Sequence, residues 1–176
     1  LRKTQINPYE REHWEKICGK VAEVSSGILP LLNRKKIKSE VISNLFETIS
    51  GEYFNSIGLN THVAENDKEP DLTFPDGPCE IKVTGVDKLH TKKCKWMGGK
   101  YSKRTSDYIF IMWHKCVDDM HFSVHHCYAY EEDWKTIDNG KENYYATVFE
   151  SHMILERNNT QLIGGRINGD FLLERV

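Results

Sequence analysis

The chain contains no apolar run near the ~20 residues that a membrane-spanning helix needs. Its five cysteines, Cys18, Cys79, Cys94, Cys116 and Cys127, are odd in number and form no CxxC pair. That argues against a disulfide framework and favours a reduced, cytoplasmic protein. Residues Leu1 to Asn7 carry no apolar signal-peptide core, so secretion is not expected. The formal net charge is only -2, so the chain is not globally basic or acidic. Repeats, low-complexity tracts and an evident linker are all missing. A single domain over 1–176 is therefore expected, long enough to bury one sizeable core.

What is present is an uneven placement of charge. From Lys82 to Arg104 there are eight Lys or Arg and one acid, Asp87; from Lys115 to Glu150 there are three Lys and eight acids. A basic stretch beside an acidic one fits a surface that faces nucleic acid on an otherwise neutral protein. A solvated lysine-rich loop is the plainer alternative.

Hydrophobic periodicity gives the element order. Asn7-Pro8 followed by Glu10 predicts a helix start, with Pro at the first helical position. Trp14, Ile17, Cys18, Val21 and Val24 then recur at helical spacing up to Ser25-Ser26-Gly27. A second helix is expected from Ser39 to about Ile57, with Val41, Ile42, Leu45, Phe46, Ile49 and Tyr53 as its apolar stripe and Gly58 as its stop. Thr61 to Val63 reads as a short strand. Asp71 to Phe74 and Cys79 to Thr84 read as two strands joined by Pro75-Asp76-Gly77, a hairpin. Gly85 to Ser106 lacks periodicity and reads as a long loop or an irregular helix; such a loop in a compact domain is usually functional. Tyr108 to Trp113 is a buried central strand by composition, and Phe122 to Tyr130 is another. A short helix is expected from Glu131. Strands are expected around Thr147-Val148-Phe149, Met153-Ile154-Leu155 and Gln161-Leu162-Ile163. The fold class is α/β (α+β), a mixed sheet flanked by helices.

The chemistry sits between Pro70 and Lys82, in Pro-Asp-Leu-Thr-Phe-Pro-Asp-Gly-Pro-Cys-Glu-Ile-Lys. Magnesium takes oxygen ligands, commonly one or two carboxylates plus substrate phosphates. Asp71 and Glu80, on adjacent strands, are expected to share one ion, with the Ile81 backbone carbonyl as a further ligand. Lys82 shares a strand face with Glu80 because side chains alternate. It is placed to orient the attacking water or to offset charge in the transition state. Pro75-Asp76 competes for the Asp position, but its residues are turn formers only four positions before Glu80.

Pro70-Asp71, eight intervening residues, then Glu80-Ile81-Lys82 resembles the PD-(D/E)xK nuclease superfamily, and more narrowly the type II restriction endonucleases. The resemblance implies that Asp71, Glu80 and Lys82 are catalytic and that the fold is restriction-endonuclease-like. It implies magnesium-dependent hydrolysis of double-stranded DNA to 5'-phosphate and 3'-hydroxyl ends. A homodimer on a palindromic site and a cognate DNA methyltransferase in the host follow from the same resemblance. Many members carry another acid on the preceding helix. Among Glu40, Glu47 and Glu52, helical geometry against the expected stripe favours Glu52; Glu40 and Glu47 fall opposite it.

In such an enzyme the basic segment meets the duplex. Lys92, Lys93, Lys95, Lys100 and Lys103 would neutralise phosphates and Arg104 would contact a phosphate or a guanine edge, with Trp96 and Tyr101 among them. Zinc is disfavoured: His114, Cys116, His121, His125, His126 and Cys127 fit no common zinc spacing. Cys79 reads as a small hydrophobe in a strand, not a nucleophile. Two rival readings remain. One is a repair, recombination or structure-specific nuclease with the same motif; the other is a DNA-binding protein without catalysis.

Overall fold

A computed structural model describes residues 5–27, 38–86, 94–99, 105–115, 120–138, 145–150 and 161–165. Helix α1 spans Arg11–Ser26 and helix α2 spans Ser39–Ser56. The strands are β1 His62–Val63, β2 Leu72–Phe74, β3 Gly77–Val86, β4 Lys95–Gly99, β5 Ser106–His114, β6 His121–Ala129, β7 Lys135–Asp138, β8 Tyr145–Glu150 and β9 Gln161–Gly165.

Helix α1 starts three residues later than Pro8 suggests. The Asn7 side-chain oxygen accepts the Tyr9 amide at 3.0 Å, and the Glu10 amide reaches the Asn7 carbonyl at 3.4 Å. These local bonds satisfy the backbone as a turn and delay the helix. The Trp14 indole donates to the Pro8 carbonyl at 2.7 Å and pins the turn to the helix.

Helix α2 has the expected span and ends in a Schellman motif. The Leu59 amide donates to the Phe54 carbonyl at 2.9 Å and the Gly58 amide to the Asn55 carbonyl at 3.1 Å. Gly58 takes φ 92°, which glycine adopts without strain. The buried face of α2 is Ile42, Phe46, Ile49, Ser50, Gly51 and Phe54, while Val41 stands 49% exposed. The helix is therefore rotated relative to its apolar stripe, with Phe54 fully buried. Gly51 permits this: a Cβ there would collide with the Val63 side chain, so α2 and β1 approach closely at this point.

The main sheet has six strands in the order β1-β2-β3-β5-β6-β9. Only β3 and β5 run parallel; the other neighbours are antiparallel. Alternation along the central strand β5 supplies two cores. Ile109, Ile111 and Trp113 join α1 and α2 residues such as Trp14, Ile17, Phe46 and Phe54. Tyr108, Phe110 and Met112 face the other way, onto Trp96, Trp134 and Phe149. That second side is covered by a three-stranded sheet, β4-β8-β7.

The molecule is thus a mixed α+β fold, and both described helices lie on one side of the main sheet. The mixed sheet is flanked by helices as expected, on one side only; the opposite side carries the second sheet. The long loop expected over Gly85 to Ser106 is corrected in part, because β3 runs to Val86 and β4 occupies Lys95–Gly99. Glu131–Asp133 is a single 3-10 turn. The strand expected at Met153 lies outside the described residues. No helix among the described residues is long and apolar enough to cross a membrane.

Candidate active site

The β2–β3 hairpin forms as its turn residues dictate. Phe74 pairs with Gly77, Thr73 with Pro78 and Leu72 with Cys79. Gly77 adopts φ 144°, a conformation that a side chain would strain. The ladder then stops, and a side chain takes over. The Asp71 carboxylate accepts the Ile81 amide N–H at 2.7 Å. Asp71 is thereby fixed at the edge of β3 by a charge-assisted bond. In an extended strand the N–H and C=O of one residue point to the same edge. The Ile81 carbonyl therefore opens toward Asp71, while its side chain is buried in the helix-side core.

Glu80 and Lys82 follow on β3, with Glu80 7% exposed and the Lys82 ammonium 3.9 Å from its carboxylate. Asp71, Glu80 and Lys82 line one cavity of about 350 Å³. Helix α2 closes another wall with Asn44 and Glu47, and the loop before β2 adds Glu65, Asp67 and Glu69.

Glu47, not Glu52, is the acid of α2 that lines the cavity. The Ser43 hydroxyl donates to Glu47 at 3.1 Å. Burial, and next the charge of Asp71, push its carboxyl up to about 7; Ser43 and Lys82 pull the other way. The rise reflects burial first and the neighbouring Asp71 charge second. Glu52, the sequence choice, is exposed and lines no part of this cavity. The rotation of α2 about Gly51 is the cause: it brings Ser50 and Phe54 into the core and swings Glu47 toward Asp71. Gly51 and the buried Ser50 were the available signals, because small residues in a helix mark close packing.

Cys79 is completely buried, and burial pushes its thiol well above the ordinary range. It is unsuited to nucleophilic attack. His114 and His125 are buried on β5 and β6, and burial pushes both down to about 4, so both are neutral.

The basic segment divides. Lys95 is exposed on β4, where it can meet a ligand. Trp96 is a correction: it is fully buried, its indole donates to the Ile111 carbonyl at 2.9 Å, and its ring lies 5.0 Å from Phe110. It builds the second core and has no surface to offer DNA. Lys92, Lys93, Lys100, Tyr101, Lys103 and Arg104 lie outside the described residues.

The donor set at the cavity suits a hard divalent cation. It offers carboxylates from Asp71, Glu80 and Glu47, with the Ile81 carbonyl on the same edge. A tighter trio lies elsewhere: donor atoms of Glu10, Glu12 and His13 fall within 4.8 Å of one another. Two of its members are exposed, and His13 bonds the Tyr53 hydroxyl at 2.8 Å through its other nitrogen. It reads as a histidine beside the N-cap Glu10 and the first-turn Glu12.

Set against models of known protein families and against curated proteins, the chain matches none.

Proposed function

We propose that this protein is a magnesium-dependent endonuclease of double-stranded DNA, of the type II restriction kind, on a restriction-endonuclease-like fold. The observation that supports this best is the capture of the Ile81 amide by Asp71, which holds Asp71 in the same cavity as Glu80 and Lys82. Asp71, Glu80 and the Ile81 carbonyl would hold the ion, with Glu47 as the helix acid. Magnesium, when bound, polarises the phosphoryl group and makes bound water more acidic. Asp71 keeps one oxygen on the Ile81 amide, so its carboxylate cannot swing away. Lys82 supplies a cation where the attacked phosphate gains charge. The water oxygen bonds to phosphorus, the bond to the 3'-oxygen breaks, and that oxygen leaves as a hydroxyl. Lys95 would contact the duplex. A restriction role carries with it a homodimer on a palindromic site and a cognate methyltransferase.

The test is incubation with unmethylated phage DNA, with magnesium or with EDTA, followed by sequencing of fragment ends. Discrete fragments with 5'-phosphates, formed only with magnesium, are expected. Smears or cuts confined to junctions would favour a repair or structure-specific nuclease. Binding without any cleavage would overturn the enzyme in favour of a DNA-binding protein. Full activity in Lys82→Ala would remove Lys82 from the mechanism.

A further inference from the structure

The cavity beside Asp71 poses a charge problem for the substrate that this reading assigns it. Six acidic side chains line it against one lysine, and Glu47, pushed up to about 7 by burial and then by Asp71, carries only part of a charge. A phosphodiester adds a further negative charge, and a single divalent ion offsets only part of the excess. The phosphate therefore needs hydrogen-bond donors supplied directly by the protein. Lys82 is one, and it already faces Glu80 at 3.9 Å. Asn66 is a second, on the acidic loop, where its side-chain oxygen accepts the Lys68 amide at 3.0 Å. The third is Asn44.

Asn44 stands on α2, three residues before Glu47, so the two share one face of the helix. Its side chain is exposed to the cavity and has no hydrogen-bond partner among the described residues. An asparagine earns nothing in the interior of an exposed helix, where it is a poorer helix former than alanine, lysine or glutamate. A neutral amide suits this position chemically. It donates two N–H bonds to an anion without adding a positive charge that would compete with the metal.

Resting on the nuclease reading, we infer that Asn44 is a substrate-binding residue whose amide donates to a non-bridging oxygen of the phosphodiester held against Lys82. Glu47 and Asn44 then divide the work of α2: one face of a single helix turn presents an acceptor to the cation and a donor to the phosphate.

Asn44→Ala and Asn44→Asp test this in the full chain. Binding is read by fluorescence anisotropy of a labelled DNA duplex in calcium, and cleavage by plasmid assay over a magnesium series. Asn44→Ala should weaken duplex binding about 10- to 100-fold, the worth of a hydrogen bond to a charged group, with the loss falling on KM more than on kcat. Its melting temperature should hold or rise, because alanine favours the helix. Asn44→Asp should weaken duplex binding further, yet lower the magnesium concentration needed for half activity. A merely structural role would not split those two readouts. Wild-type duplex affinity and KM in Asn44→Ala, beside a wild-type protein that cuts, would overturn the inference alone. A wild-type protein that neither binds nor cuts DNA would overturn the nuclease reading, and this inference with it.

Discussion

Two Pro-Asp dipeptides lie five residues apart on this chain, and the fold treats them differently. Pro70-Asp71 sits where β2 leaves its partner, and the Asp71 carboxylate caps the Ile81 amide inside a cavity of acids. Pro75-Asp76 sits in the exposed hairpin turn, and both Asp76 oxygens accept from the Gln5 side chain at 2.9 Å. The dipeptides are identical, but Leu72 follows the first and the turn-forming Gly77 follows the second. Their place in the strand ladder separates them. A carboxylate at the end of a ladder can replace the missing strand; one at the turn can only dress the surface.

The sharpest test of that difference replaces each aspartate with alanine. Asp71→Ala should lower magnesium-dependent plasmid cleavage about 1,000-fold, as loss of a group that acts on the reacting centre does. Asp76→Ala should stay within about twofold of wild type, because an exposed side-chain pair contributes little. Circular dichroism should show both variants folded. Equal losses in the two variants would break the comparison.

Burial also decides what histidine does, away from the cavity. His125 is 5% exposed and pushed down to about 4 by burial. An unfolded histidine titrates near 6.5. Between about pH 6.5 and 4 the unfolded chain therefore binds a proton that the native protein refuses, and stability falls as pH falls. At pH 5 this costs about 2 kcal/mol. His125→Leu should recover that amount in urea unfolding at pH 5 and change stability by less than about 1 kcal/mol at pH 7.5. His114, pushed down to about 4 by burial and then by His121, should keep part of the acid sensitivity. An unchanged pH slope would refute the assignment.

A second matched pair tests the helix acids. Glu47→Gln should raise the half-saturating magnesium concentration about tenfold, the loss of one coordinating charge among several. Glu52→Gln should leave it unchanged. The reverse result would restore the choice made from the apolar stripe.

Much of this arrangement was legible before any coordinates. The hairpin was readable because Pro75-Asp76-Gly77 has turn chemistry and the flanking runs have strand composition. Strand β5 was readable because a continuous apolar run needs burial on both sides. Legibility failed where hydropathy and packing part company. Trp96 lies among lysines and reads as a surface aromatic, yet β4 turns it into the second core against Phe110. The start of α1 slipped because Asn7 spends its side chain on a turn. The rotation of α2 is hidden because Ser50 and Gly51 carry no hydrophobic signal, and Gly51 is buried where the helix closely approaches β1.

Gly51 supplies the finest test, because two opposed effects act on one residue. Alanine in place of glycine favours a helix interior by about 1 kcal/mol. The added methyl, however, would collide with the Val63 side chain, and overpacking costs about 1–3 kcal/mol. The second effect should win, and Gly51→Ala should lose about 1 kcal/mol in urea unfolding. The strain has only two outlets. Either Val63 changes rotamer, or α2 backs away from β1 and carries Glu47 with it. In the second case the magnesium requirement rises in parallel with the loss of stability, although Gly51 touches no part of the cavity. A more stable Gly51→Ala protein would show that α2 does not need its close approach to β1. The orientation of Glu47 toward Asp71 would then require another cause.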